Sequence, residues 1–170
     1  MRSTSFVVLV VAALTLFFNV SDSYGQARPT SKNQAFGIDF AGYFQAGKEI
    51  HAQYEWKASP VNSWFARALF GSVSGYKGLG VGGGYKFFIA DSRALAGLAV
   101  APAVLAYFWS HEYLDSEIFF SLGGEVSYKH IMDDFFVEPL VGFGIGFGGD
   151  YISYLTKVRV YLNILIGYAW

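Results

Sequence analysis

From Phe36 to the C-terminus, apolar and polar positions alternate with a period of two, as in strands whose two faces see different surroundings. The final stretch, KVRVYLNILIGYAW, alternates without a break. Val158, Val160, Leu162, Ile164, Ile166, Tyr168 and Trp170 share one face, and Lys157, Arg159, Tyr161, Asn163, Leu165, Gly167 and Ala169 the other. Six earlier segments repeat the pattern. The first sets Ile38, Phe40, Gly42 and Phe44 against Asp39, Ala41, Tyr43 and Gln45, and the second sets Ile50, Ala52, Tyr54 and Trp56 against His51, Gln53, Glu55 and Lys57. In the third, Trp64, Ala66, Ala68 and Phe70 oppose Phe65, Arg67, Leu69 and Gly71; in the fourth, Leu79, Val81, Tyr85 and Phe87 oppose Gly80, Gly82, Gly84 and Lys86. The sixth opposes Ile118, Phe120, Leu122, Val126 and Tyr128 to Ser121, Gly123, Glu125, Ser127 and Lys129, and the seventh opposes Val137, Val141, Phe143, Ile145 and Phe147 to Glu138, Leu140, Gly142, Gly144 and Gly146. The fifth segment, Ala94 to Trp109, carries no charge on either face and has Pro102 in its middle, which predicts a strand bent or bulged at a missing ladder bond.

In every charged segment one face is free of charge and the other holds the ionisable and small residues. A continuous apolar face over seven strands fits lipid better than it fits the narrow interior of a small barrel. The expected fold is therefore all-β, an eight-stranded antiparallel up-and-down transmembrane β-barrel over residues 36–170. Strands of this length cross an apolar band of roughly 25 Å when tilted. An even strand count puts both chain ends on one side, here the periplasmic one. That topology sends Trp56, Trp64 and Trp170 to the periplasmic rim and Trp109 to the outer rim, and Tyr168 joins them as an interface aromatic. A five-residue turn at SPVNS (59–63) sets Glu55 opposite Arg67.

Composition sharpens the compartment. Over half of the 170 residues are apolar, 19% are aromatic and 15% are charged. An ordinary soluble domain has about a quarter of its residues charged. A net charge of −1 gives nucleic acid no electrostatic foothold, and the absence of cysteine excludes disulfides, thiolate metal sites and cysteine nucleophiles. Arg2 followed by the uncharged run Phe6 to Val20 and the small residues SDSYGQA reads as a Sec signal peptide over residues 1–27. Residues 28–35 carry no pattern. The chain is thus expected in the bacterial outer membrane, as a monomer among outer-membrane lipids that include lipopolysaccharide.

The signal peptide, the eight alternating strands and the aromatic C-terminus resemble the small eight-stranded outer-membrane barrels of the OmpA/OmpX type. In that family the last strand is read by the barrel-assembly machinery. Asn163, Tyr168 and Trp170 match its C-terminal signal, whereas Leu165 stands where glycine is usual and Trp170 replaces the commoner phenylalanine. The resemblance implies recognition by that machinery, and the expected role is non-enzymatic, structural or in surface contact.

The inward face is expected to hold an ion-paired plug of Asp39, Glu55, Glu125 and Glu138 with Lys57, Arg67, Lys86 and Lys129. Catalysis finds little support in the residues. Barrel enzymes that trim lipid A use a His-x-Ser pair, and His51, His111 and His130 are each followed at the second position by a residue other than serine. The loop SHEYLDSE (110–117) does gather hydroxyl, imidazole and carboxylates, the types that acyl hydrolysis needs. A lipid A-modifying enzyme and a narrow pore are the alternatives, with a secreted soluble barrel behind them. GLGVGGG and GFGIGFGG lack the strand–helix setting of nucleotide loops, and no catalytic residue, metal site or cofactor is expected.

Overall fold

A computed structural model of the chain describes residues 31–39, 48–73, 76–89, 94–111, 116–148 and 158–170. The expected signal peptide, the upper part of the first strand and residues 112–115 of the SHEYLDSE loop lie outside these residues. The described strands are β1 (Gln34–Asp39), β2 (Ile50–Ser59), β3 (Asn62–Val73), β4 (Tyr76–Phe88), β5 (Gly97–His111), β6 (Glu117–Met132), β7 (Phe135–Phe147) and β8 (Val158–Ala169). Each pairs antiparallel with its sequence neighbours, and β8 returns to β1, so the sheet closes into a barrel in the order β1 to β8.

The period-two pattern decides which way each side chain points. On β7, Phe135, Val141, Phe143, Ile145 and Phe147 are exposed, while Phe136, Glu138, Leu140, Gly142, Gly144 and Gly146 are buried. The same parity holds around the ring. Outward apolar side chains such as Phe70, Val104, Leu122, Ile145 and Val160 are 53–73% exposed, an apolar surface on the outside of the closed sheet.

β1 begins at Gln34, two residues before the expected Phe36. The N–H groups of Asn33 and Gln34 both donate to the Trp170 carbonyl, at 2.8 and 2.9 Å, so the polar residues ahead of Phe36 are drawn into the seam that closes the barrel. β5 begins at Gly97 in place of the expected Ala94, because residues 94 and 95 form a turn.

Pro102 produces no bulge. The pairs Gly84↔Ala103 and Phe87↔Val100 keep one register across it, and the β6 side runs unbroken through Pro102↔Gly124. The cost is confined to an unpaired stretch of ladder opposite Tyr85 and Lys86. Pro139 repeats the device on β7, paired in register with Ile164 while the ladder to β6 skips Tyr128 and Lys129. A proline lacks one donor, and a strand hydrogen-bonded on its other side tolerates that loss locally.

The β2–β3 connection is a two-residue turn at Pro60 and Val61, with Ser59 paired to Asn62 and a register shift between Lys57 and Ser59. The expected five-residue turn is thus corrected, and its pairings with it. Glu55 faces Phe65, and Arg67 faces Gln53.

Candidate functional site

Inward glycines create the room that the interior charges use. A Cβ on Gly142 would run into the Tyr161 ring, and one on Gly71 would lie 2.6 Å from the Glu49 side chain. Large inward residues of one strand thus lie over glycines of the next, and the polar heads are carried into the middle of the barrel.

Four charges meet there. Glu55, Lys86, Lys129 and Glu138 come from four different strands and are all but completely buried. The Lys86 ammonium lies 2.8 Å from Glu55 Oε2 and also donates to Glu138. Lys129 Nζ lies 2.5 Å from the same Glu55 oxygen and 3.2 Å from Glu138 Oε2. Ser63 donates to the other Glu55 oxygen at 2.6 Å. The result is two acids and two bases in alternation. Each charge that burial strips of water has opposite charges in its place.

A second group sits toward the end of the barrel away from the chain termini. Arg67 forms a bidentate pair with Glu125, with Nη2 at 2.9 Å from Oε2, and its Nε and Nη2 also donate to Gln53 Oε1 at 3.1 and 2.5 Å. The Tyr161 hydroxyl donates to Glu125 at 2.7 Å. The planar guanidinium suits this site because it spends its fork on one carboxylate and keeps donors for an amide.

A third group goes beyond the expectation from the sequence. His51 lies with Nε2 3.3 Å from Glu49 Oε2 and Nδ1 2.9 Å from the Asn163 amide, and Asp39 Oδ2 is 3.7 Å from Nδ1. Asp39 also accepts from the Ile164 N–H at 3.2 Å. Arg159, half-buried, donates to Glu49 and completes the group. Parity on β2 is the available signal: 49, 51, 53 and 55 fall on one face, although Glu49 precedes the strand.

Of the eight charged residues expected inside, seven are buried: Glu55, Arg67, Lys86, Glu125, Lys129 and Glu138 meet opposite charge, and Asp39 faces the His51 ring. Lys57 does not join them. The register shift after it leaves it half-exposed at the rim, where its backbone N–H donates to the Asn33 carbonyl at 2.8 Å.

Apolar layers flank the charges. Leu69, Tyr107, Trp109 and Phe119 pack together toward one mouth, with the Tyr107 and Phe119 rings stacked 4.3 Å apart. Ala35, Phe136, Leu140, Leu165 and Ala169 fill the end that holds the termini. The expectation of Trp109 as an interface aromatic is corrected: it is 2% exposed and points inward. The segment from Ala94 to Trp109 has no charged residue to reveal its parity, whereas pairing to Glu117 on β6 fixes it.

The other expected interface aromatics do point outward. Trp56, Trp64, Tyr168 and Trp170 are 37–48% exposed and lie near the terminal rim with Tyr54 and Tyr85. Trp64 and Tyr85 meet edge to face at 4.5 Å, and Tyr54 lies 5.8 Å from Trp56 and 6.3 Å from Trp170.

No grouping of histidine and carboxylates among the described residues has the arrangement of a metal site. The chain matches no protein-family model, no curated protein and no solved structure in the three comparisons made.

Proposed function

We propose that this protein is an outer-membrane β-barrel of the OmpA/OmpX kind, exported by a cleaved signal peptide and held in the bilayer as a closed, non-enzymatic wall element with a structural or surface-contact role. One observation carries the reading. The closed sheet turns its apolar residues outward and its ion pairs inward, the reverse of a barrel built for water. A closed barrel leaves no open strand edge, and its backbone pairs within the sheet apart from the short gaps beside Pro102 and Pro139, as hydrocarbon requires. The outward aromatics at one rim fit a bilayer interface, where amphipathic rings bind best.

The interior supports closure over transport. Ion pairs, stacked rings and side chains laid over glycines occupy the space that a pore needs. The lipids around the wall are its expected partners, and the seam strand β8 is the segment offered to the assembly machinery. Fractionation of cells expressing the chain is the test, with the barrel in outer membrane and a band that migrates faster before boiling than after it. Recovery in the periplasm as a soluble protein of unchanged mobility overturns the proposal.

A further inference from the structure

The outward face is nearly free of charge. Among the described strand residues above the terminal rim, it carries no carboxylate and a single ammonium, that of Lys77. Lys77 is exposed and lies at the end of β4 away from the chain termini. A lysine on an apolar wall is costly unless its head finds water or an anion.

Its neighbours are polar too. Lys77 is paired with Ser72 on β3 and with Ser110 on β5, and all three share the outward parity of Phe70, Leu79 and Phe108. Adjacent strands lie about 4.8 Å apart, so a hydroxyl stands on each side of the lysine stem. Lys48, exposed two residues ahead of Ile50, brings a second cation to the level of Ser72, because Ile50 pairs with Phe70. Directly below this polar row lies an apolar one. Phe70, Leu79 and Phe108 pair across the same three strands and are 59, 43 and 42% exposed. The arrangement is local: the outermost described outward residues of β7 and β8 are Phe147 and Val158, both apolar.

We infer that Lys77, Ser72 and Ser110 form a seat for the phosphate of an anionic lipid, whose acyl chains lie over Phe70, Leu79 and Phe108. Charge complementarity selects the occupant. A phosphate diester offers acceptor oxygens and negative charge, and the row offers ammonium and hydroxyl donors with no carboxylate among its described outward neighbours. The step from polar row to apolar row matches the step from headgroup to chain. A protein partner fits worse, since a stable protein interface uses about 20–30 residues a side. The inference rests on the reading of this wall as lipid-facing, and its test separates the two.

Phe108→Trp, in a chain whose native tryptophans are changed to phenylalanine, places a reporter directly below Lys77. Ile145→Trp in the same background reports from β7, where the outward surface is apolar to its described end. Each barrel is reconstituted in phosphatidylcholine vesicles holding a small, equal fraction of brominated-chain phosphatidylglycerol or brominated-chain phosphatidylcholine. At Phe108→Trp the anionic lipid should quench about fivefold more than the zwitterionic one, the gain expected from one cation at a membrane surface. At Ile145→Trp the two lipids should quench alike. Lys77→Gln should remove most of the excess, and the added Lys48→Gln the rest. Ser72→Ala with Ser110→Ala should cut the excess by about half or more, as the loss of hydrogen bonds to the phosphate requires. Equal quenching by the two lipids at Phe108→Trp overturns the inference, as does an excess undiminished in Lys77→Gln. An excess left whole by the serine pair's loss also overturns it, because a point charge alone would then explain the enrichment. Should Phe108→Trp give no faster-migrating unboiled band, Leu79→Trp takes its place. If neither lipid quenches either reporter, the lipid-facing reading falls, and the phosphate seat falls with it.

Discussion

Arg67 shows how much one interior side chain carries. It holds Glu125 by both nitrogens of the fork and Gln53 by a further pair of donors, all out of contact with water. Arg67→Leu leaves Glu125 as a buried charge without its cation, and should cost about 3–5 kcal/mol of folding stability. The double change Arg67→Leu with Glu125→Leu should cost much less, because nothing charged is then stranded. Urea unfolding in lipid vesicles checks both, and equal losses in the single and double variants would contradict an ion-paired interior. Glycine positions carry the complementary prediction. Gly142→Ala places a methyl against the Tyr161 ring and should cost about 1–3 kcal/mol as an overpacked site. Tyr161→Val is itself costly, because the Tyr161 hydroxyl donates to Glu125, but in that background the added methyl of Gly142→Ala should cost much less than it does in the parent. An equal cost of Gly142→Ala in both backgrounds would mean that Gly142 serves something other than room for Tyr161.

At the scale of elements, the seam between the chain ends depends on a small exposed clasp. Lys32 donates to Asp134 in the β6–β7 turn, and the Tyr168 hydroxyl donates to the same carboxylate at 2.9 Å. Both bonds, the Lys32 contact foremost, hold the Asp134 carboxyl below the ordinary carboxylate range. The sign follows from a lowered value. The clasp contributes fully above the ordinary carboxylate range, and its contribution fades as pH falls through the lowered one. Asp134→Asn should therefore lower the temperature at which the unboiled gel band is lost near neutral pH, and the gap to the parent should close in strong acid. A gap that is the same at both pH values would show that the clasp does not work through charge. Much of this level is legible from the sequence, because parity is a local property. Seven strands are marked by charge on one face, and their described inward residues, Lys57 excepted, are those that meet in the barrel. Pairing is less legible. It depends on turn length, and the two-residue turn at Pro60–Val61 shifts β3 against β2, so that Glu55 meets Phe65 and Arg67 meets Gln53. The sequence does not orient Trp109, since no charge between Ala94 and Trp109 breaks the symmetry of the two faces. The His51 group escapes for a related reason: its members lie on separate strands and in a connection, and only closure of β1 on β8 brings Asn163 to His51.

For the whole molecule, the ion pairs and the two apolar layers among the described residues fill the interior that a steady ion path would need, so reconstituted barrels should show at most brief, small conductance events in planar bilayers. Large sustained currents would contradict the closed interior. The central claim is that the outward face meets lipid, and the four tryptophans are placed to test it. Trp56, Trp64 and Trp170 are outside near one rim, and Trp109 is enclosed. Single-tryptophan variants, with the other three changed to phenylalanine, can be reconstituted in vesicles of lipids brominated either near the head group or near the chain end. Trp64 should be quenched most by bromine near the head group, and Trp109 by neither lipid. The variant Phe143→Trp, in a background without the native tryptophans, should be quenched most by bromine deep in the chains, since Phe143 is outward and mid-strand. If the Trp64 and Phe143→Trp signals were both untouched by brominated lipid but quenched by aqueous iodide, a membrane-spanning wall would be contradicted.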